Sequence, residues 1–270
     1  MGIARLSIIF AFLTGFPAMS HEFWIQPEQY QVDVGDPIIA TLRNGQNFKG
    51  TSLAWFDSRF TRFDMISNDN VQPVLGRLGD TPALQADAGE DGLLVVVHET
   101  VESTLTYQTW DKFLTFVDHK DFRTAVATHE AHGWPKEQFR ETYTRHVKSL
   151  IAIGTGKGED RAFGLQTEFV ALTNPYEDDF DGNMQVLVRY QGDPRPDAQV
   201  EVFARSPDGS VDVTLHRTND KGVAQIAVLP GHQYLFDAVV LRPSPRAGTE
   251  EKAPLWETLW AALTFEVPSQ

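Results

Sequence analysis

Residues 184–215 read MQVLVRYQGDPRPDAQVEVFARSPDGSVDVTL, and this stretch decides the fold class. Apolar and polar residues alternate in 184–190, 199–203 and 211–215, which is the period of strands that bury one face. Turn-forming residues, Gly192-Asp-Pro194 and Pro207-Asp-Gly209, separate these segments. Short strands joined by such turns predict an antiparallel β-sandwich, which we place at residues 181–270.

The preceding residues, 21–180, predict a first β domain. Strand patterns at 31–34, 38–42 and 93–97 are separated by turn signals that include Asn44-Gly45. The predicted fold class is therefore mainly β, with two β-sandwich domains.

A helical insertion interrupts the first domain at about residues 110–143. Trp110, Phe113, Leu114 and Val117 have the spacing that places side chains on one helix face. Gly133 is expected to end a second short helix, and residues 136–143 are expected to begin a third helical piece.

The first twenty residues have the three-part pattern of a secretory signal. Arg5 precedes an apolar run from Leu6 to Phe16, and the small residues Ala18 and Ser20 follow. We predict a signal peptide at residues 1–20, export to the periplasm and His21 as the first mature residue. The apolar run is too short to cross a bilayer, so we expect no membrane span after processing.

Composition excludes several kinds of function. The 270 residues contain no Cys, which rules out thiolate metal sites and thiol catalysis. A formal net charge of −14 disfavours nucleic acid as a partner. The sequence has no G-x-S-x-G nucleophile motif, and nothing else in it indicates an enzyme.

His21 is the first candidate metal ligand. A chain that begins with His offers its terminal amine and its Nδ1 to one ion, and the amine loses its proton easily because its pKa is about 7.7–8.0. Such nitrogen chelates suit Cu(II) or Ni(II). The alternative is an ordinary, solvated first residue of an edge strand.

His129 and His132 form a second candidate site. At a spacing of three residues on a helix the two imidazoles share a face and could hold one ion. The alternative is a solvated last helical turn, where a protonated His complements the helix dipole. His98 is expected to be a hydrogen-bonded residue at the end of its strand, and Lys148 to need a carboxylate partner if it is buried.

The chain contains, in order, the phrases His21-Glu-Phe-Trp24, Val34-Gly-Asp36, Leu42-Arg-Asn-Gly-Gln46, Phe48-Lys-Gly50, Tyr143-Thr-Arg145, Lys148-Ser-Leu150 with Gly154, Gly164-Leu165 with Glu168, Leu172-Thr-Asn-Pro175 and Trp260 to Phe265. Together these phrases resemble a family of exported bacterial proteins that are labelled as periplasmic components of cobalt or nickel uptake (NikM-like). The second module also resembles the carboxypeptidase-regulatory-like or transthyretin-like sandwich.

The resemblance implies a role near metal acquisition. We therefore expect a periplasmic protein that binds a divalent transition metal (Ni, Co or Cu) and passes it to a transporter or an outer-membrane receptor. Among the residues that match, His21 is the one obvious ligand. Two alternatives remain: a non-catalytic envelope adaptor that binds a ligand or a protein, and a copper-dependent oxidative enzyme with an N-terminal His chelate. Trp256 and Trp260 would matter for the adaptor if they were exposed, but their pattern favours the core.

Overall fold

The computed structural model describes residues 21–269, and it is mainly β as the sequence predicts. The predicted signal peptide at 1–20 lies outside the described residues. Two helices, α1 (Trp110–His119) and α2 (Ala125–Ala131), interrupt the strands. The strands are β1 (Glu22–Pro27), β2 (Gln31–Val32), β3 (Pro37–Gln46), β4 (Lys49–Leu53), β5 (Phe60–Ser67), β6 (Asn70–Pro73), β7 (Leu84–Asp87), β8 (Gly92–Thr100), β9 (Ser103–Tyr107), β10 (Phe139–Ile153), β11 (Thr167–Ala171), β12 (Asn183–Tyr190), β13 (Asp193–Pro194), β14 (Gln199–Arg205), β15 (Val211–Arg217), β16 (Val223–Ala227), β17 (Gln233–Pro243) and β18 (Trp256–Glu266).

These strands form three sheets. The N-terminal sheet has the order β1-β3-β4, with β7 also paired to β3. The central sheet has the order β15-β14-β17-β18-β10-β8-β5-β6, and β2 and β9 add to β10. The outer sheet consists of β11, β12, β13 and β16. In the central sheet β10 and β18 run parallel, and their register places Arg145 opposite Trp260.

Strand β10 explains why the central sheet lies between the other two. Its side chains alternate between the two faces of the sheet. Val147 and Ile151 belong to the apolar cluster shared with the N-terminal sheet, whereas Leu150 and Ala152 belong to the cluster shared with the outer sheet. Because both faces are covered, 147–153 is a continuous buried run rather than an alternating one.

The central sheet runs across the predicted domain boundary at residue 181. Strand β18 of the C-terminal half pairs with β10 of the N-terminal half. Strand β11, which the sequence assigned to the first domain, pairs with β12 of the second. The division into 21–180 and 181–270 stays a prediction, and the geometry joins the two parts through shared sheets.

The helical insertion is shorter than predicted. Helix α1 buries Phe113, Phe116 and Val117, and Gly133 follows α2 with a left-handed φ of 63°. The predicted third helical piece, 136–143, is wrong, since β10 begins at Phe139 and pairs with β9. The edge of β9 offers backbone hydrogen bonds to this segment, and tertiary pairing therefore overrides its local helical pattern.

The predicted turn at Asn44-Gly45 is also wrong. Strand β3 continues to Gln46, and the chain turns at Asn47 and Phe48, whose φ angles are 53° and 57°. Gly45 serves a different purpose, because a Cβ there would collide with the carbonyl of Lys49 on the facing strand. The glycine permits close approach of β3 and β4 rather than a reversal of the chain.

Between residues 21 and 269, neither helix has the length and apolar content that crossing a bilayer requires.

Candidate functional site

His21 lies directly ahead of β1, and its side chain is exposed. Its backbone carbonyl accepts a hydrogen bond from Nη2 of Arg145 at 2.7 Å. The next residue, Glu22, begins the pairing of β1 with β3 opposite Gly45. The start of β1 is therefore held on both sides, by a strand partner and by a buried guanidinium.

Arg145 is buried on β10, yet no carboxylate of the described residues lies within 4.0 Å of it. Its second contact is a long one, from Nη1 to Oδ1 of Asn44 at 3.5 Å. Its guanidinium carbon lies 4.9 Å from the ring centroid of Tyr143, 5.9 Å from that of Phe23 and 5.8 Å from that of Trp260. Burial lowers the pKa of Arg145, while Tyr143, Asp237 and Glu22 oppose that shift through space.

A cavity of about 320 Å³ lies beside Arg145, where the N-terminal sheet meets the central sheet. Both sheets contribute to its wall. The lining residues are Phe23, Leu42, Asn44, Leu53, Ala54, Phe56, Arg59, Phe60, His98, Thr100, Val101, Ser103, Tyr143 and Arg145. This volume is at the lower end of the range for small-molecule sites.

His98 lines the cavity and is only 2% exposed. Phe23, Phe60 and Phe63 surround it with ring centroids 4.9–5.4 Å from its own. Its Nδ1 has no hydrogen-bond partner in the described part of the chain, so the prediction of a hydrogen-bonded residue is wrong for that nitrogen. Burial lowers the pKa of His98 to about 3, and the ring is therefore neutral at pH 7.

His129 is fully buried on α2, and both of its ring nitrogens are occupied. Nδ1 accepts a hydrogen bond from Nε1 of Trp256 at 3.0 Å, and Nε2 donates to the carbonyl of Pro135 at 3.1 Å. Burial lowers the pKa of His129, which fits this neutral arrangement. In this geometry the side chain helps to fix α2 onto β18.

His132 is exposed and lies against Trp134, with ring centroids 4.4 Å apart. Its Nδ1 donates to the carbonyl of Thr128 at 2.8 Å. This contact with a carbonyl near the end of α2 fits the alternative prediction of a solvated last helical turn. His129 and His132 therefore make separate contacts. Among residues 21–269, no three His, Asp or Glu side chains are arranged to hold a metal ion.

A buried ionic cluster lies at the end of α1, beside Trp260. Lys120 donates to Glu201 at 2.6 Å and to Asp237 at 2.7 Å, and its ammonium lies 4.9 Å from the ring centroid of Trp260. Burial by itself would lower the pKa of Lys120, but Asp237 and Glu201 outweigh it and leave that pKa raised. Each charged group of the cluster is thus paired with another member of the cluster.

Two structural predictions are confirmed. Lys148 is 1% exposed and donates to Oδ2 of Asp160 at 2.6 Å. Trp256 and Trp260 are each 2% exposed and belong to the cluster under the helices.

Arg145 was not predicted as a functional residue. The residue was present in the phrase Tyr143-Thr-Arg145, but no role was assigned to it. One signal was available: Arg145 shares a face with Val147 and Ile151 at the strand period, so a long strand would bury it. The expected helix over 136–143 concealed that period.

Comparison with known proteins identifies a family and weak similarity to solved structures. A model of the family described as "Domain of unknown function (DUF4198)" matches residues 18–242. No curated protein matches the chain. The chain is similar to the solved "D0-D1 domain of Intimin" at 12% identity, with 90% of this chain and 97% of that chain covered and a TM-score of 0.20. A TM-score this low supports no inference about this protein.

Proposed function

The chain belongs to the DUF4198 family, and we propose that it is a periplasmic protein that binds a transition-metal ion (nickel, cobalt or copper) and delivers it for uptake. The acceptor in this proposal is a transporter or an outer-membrane receptor. The proposal draws on the resemblance to the NikM-like label for cobalt and nickel uptake, together with the regulatory-like sandwich expected at 181–270. Export through the signal at residues 1–20 is part of it.

The observation that carries the proposal is the position of His21. Its imidazole is exposed, while its carbonyl is held by the buried Arg145. If processing frees the amine of His21, that amine and Nδ1 are presented together at the start of a fixed strand. Two nitrogens on one anchored residue form a chelate whose geometry needs little further ordering.

The two other predicted ligands contribute less to this proposal. An ion shared by His129 and His132 would require His129 to give up a hydrogen bond in a fully buried environment, which costs free energy. We therefore assign the ion to His21. The remaining coordination positions would be filled by water or by the molecule that accompanies or receives the ion.

The test compares two forms of the protein that differ only at the amino end. One begins at His21, and the other carries a Ser-Pro extension ahead of it. The extension separates the free amine from the imidazole, and its proline has no N–H that could lose a proton to a metal. We expect Ni(II) affinity, measured by calorimetric titration, to fall about 100-fold, which corresponds to about 2.7 kcal/mol.

A His132→Gln variant of the form that begins at His21 is the matched control, because it removes an exposed imidazole that lies elsewhere. Its Ni(II) affinity should equal that of the unmodified protein. Equal affinity of the extended and unextended forms would refute the chelate, and a loss confined to His132→Gln would move the ion to α2.

A further inference from the structure

The cavity beside Arg145 has a charge opposite to that of the whole protein. The chain has a net charge of −14, yet two arginines, Arg59 and Arg145, line this cavity. Neither Asp nor Glu is among its lining residues, which all belong to the described part of the chain. His98 adds no charge at pH 7. The cavity is therefore a local positive region in an acidic protein, and such a region favours an anionic ligand.

Hydrogen bonding at Arg145 is incomplete. Of its donors, Nη2 bonds to the carbonyl of His21 and Nη1 makes the long contact to Asn44, while the buried Nε has no partner among residues 21–269. A buried cation without a carboxylate is costly, and natural proteins generally pair or coordinate such charges. The carboxylates that act on it through space, Glu22 and Asp237, do not contact it, and Asp237 already accepts from Lys120.

The rest of the wall is suited to an apolar body. Phe23, Phe56, Phe60 and Tyr143 supply aromatic surface, and Leu42 and Leu53 supply aliphatic surface. His98, whose Nδ1 has no hydrogen-bond partner among the described residues, lines the same wall. A mostly apolar cavity with a few polar groups in fixed positions is the usual composition of a small-molecule site.

We propose that this cavity binds a small organic carboxylate with an aromatic or apolar body, its carboxylate facing Arg145 and Arg59. The arginine fork matches a carboxylate geometrically and forms stronger hydrogen bonds with it than with a neutral oxygen. Three aromatic rings, with centroids 4.9–5.9 Å from the guanidinium carbon of Arg145, help to hold the guanidinium in place before the ligand arrives. The site shares Arg145 with the anchor of His21 but uses different ligand atoms, because the metal chelate uses the side chain and amine of His21 rather than its carbonyl.

Titration of the protein that begins at His21 with benzoate and phenylacetate, each paired with its neutral amide, tests the proposal. We expect calorimetry or ligand-observed NMR to show that at least one carboxylate binds, and that it binds at least tenfold more tightly than its amide. Equal binding of acid and amide, or binding by none of the four compounds, would overturn the assignment.

Arg59→Gln and Ala54→Trp locate the site without removal of the buried Arg145, and Ala54→Ser and Arg77→Gln are their controls. Arg59 is exposed, so Arg59→Gln should fold and should weaken carboxylate binding about three- to tenfold. Ala54→Trp fills the cavity and should abolish binding, whereas Ala54→Ser should retain it. Arg77→Gln, whose side chain is 94% exposed and does not line the cavity, should leave the affinity unchanged.

The metal and carboxylate proposals can fail separately. The Ser-Pro extension should weaken Ni(II) binding but not carboxylate binding, and Ala54→Trp should do the reverse. Carboxylate affinity unaffected by both Arg59→Gln and Ala54→Trp would refute this cavity as the site, whatever the metal titration shows.

Discussion

Two buried cations contact Trp260, and they differ in what they bind. Lys120 has two carboxylates within 2.7 Å, whereas Arg145 has a carbonyl, a distant amide oxygen and a donor without a partner. Both are largely withdrawn from water, so each carries a cost of desolvation. The difference indicates that Lys120 completes a structural cluster, while Arg145 retains capacity for a ligand in the adjoining cavity.

Removal of Lys120 should cause the largest effect. Lys120→Met leaves Glu201 and Asp237 buried without their cation, and we expect the free energy of unfolding to fall by about 3–5 kcal/mol. Urea denaturation measures this change. Lys112→Met, at an exposed position of the same helix, should change stability by less than about 0.5 kcal/mol. A loss below about 1 kcal/mol for Lys120→Met would contradict the structural role of the cluster.

Removal of Arg145 should cost less. Arg145→Met leaves only neutral oxygens without a donor, so we expect a loss of about 1–2 kcal/mol in urea denaturation. The same variant should lose carboxylate binding. A loss as large as that of Lys120→Met would show that Arg145 is chiefly structural and would weaken the distinction between the two cations.

Two buried acids, Glu201 and Glu141, also differ in whether they have a cationic partner, and this difference affects how stability depends on pH. His119 and Lys120 outweigh burial and hold the pKa of Glu201 at about 2, whereas the partners of Glu141 within the described part of the chain are the hydroxyls of Tyr107 and Thr258. Burial raises the pKa of Glu141 from 4.5 to about 7. Between pH 4.5 and about pH 7, Glu141 holds a proton in the folded state that it has released in the unfolded state. Glu141 therefore makes the free energy of unfolding fall as pH rises through this range.

Glu141→Gln should remove that contribution. From pH 4.5 to pH 7.5 we expect the stability of the variant relative to the wild type to rise by about 3 kcal/mol, measured by urea denaturation at each pH. Glu137→Gln, at an exposed position, is the matched control and should show no such trend. A relative stability that is independent of pH would mean that Glu141 is ionised in the folded protein.

The smallest effect is expected at His132, directly after α2, and His129 within α2 gives the contrast. His132→Gln should change the free energy of unfolding by less than about 0.5 kcal/mol, since the side chain is exposed. His129→Gln should cost about 1–3 kcal/mol because it disturbs two buried hydrogen bonds. Thermal denaturation of the two variants separates the cases, and equal losses would contradict the different environments of the two rings.

Parts of this picture were predictable because they depend on local sequence. The alternation at 184–190 and 199–203 specifies strands, and the spacing of Phe113 and Val117 specifies α1. The apolar pattern around Trp256 and Trp260 identified them as core. Because Lys148 lies in an apolar run, its burial required an anionic partner, and Asp160 is that partner.

The sequence by itself determined that this chain is a mainly β protein with a short helical interruption, because strand and helix periods are written in neighbouring residues. Only the tertiary structure decided that β10 and β18 pair in parallel and that Arg145 comes to lie beside Trp260, the start of β1 and an open cavity. Those contacts join residues more than a hundred positions apart. No local pattern specifies them, because strand pairing over such distances depends on how whole sheets pack.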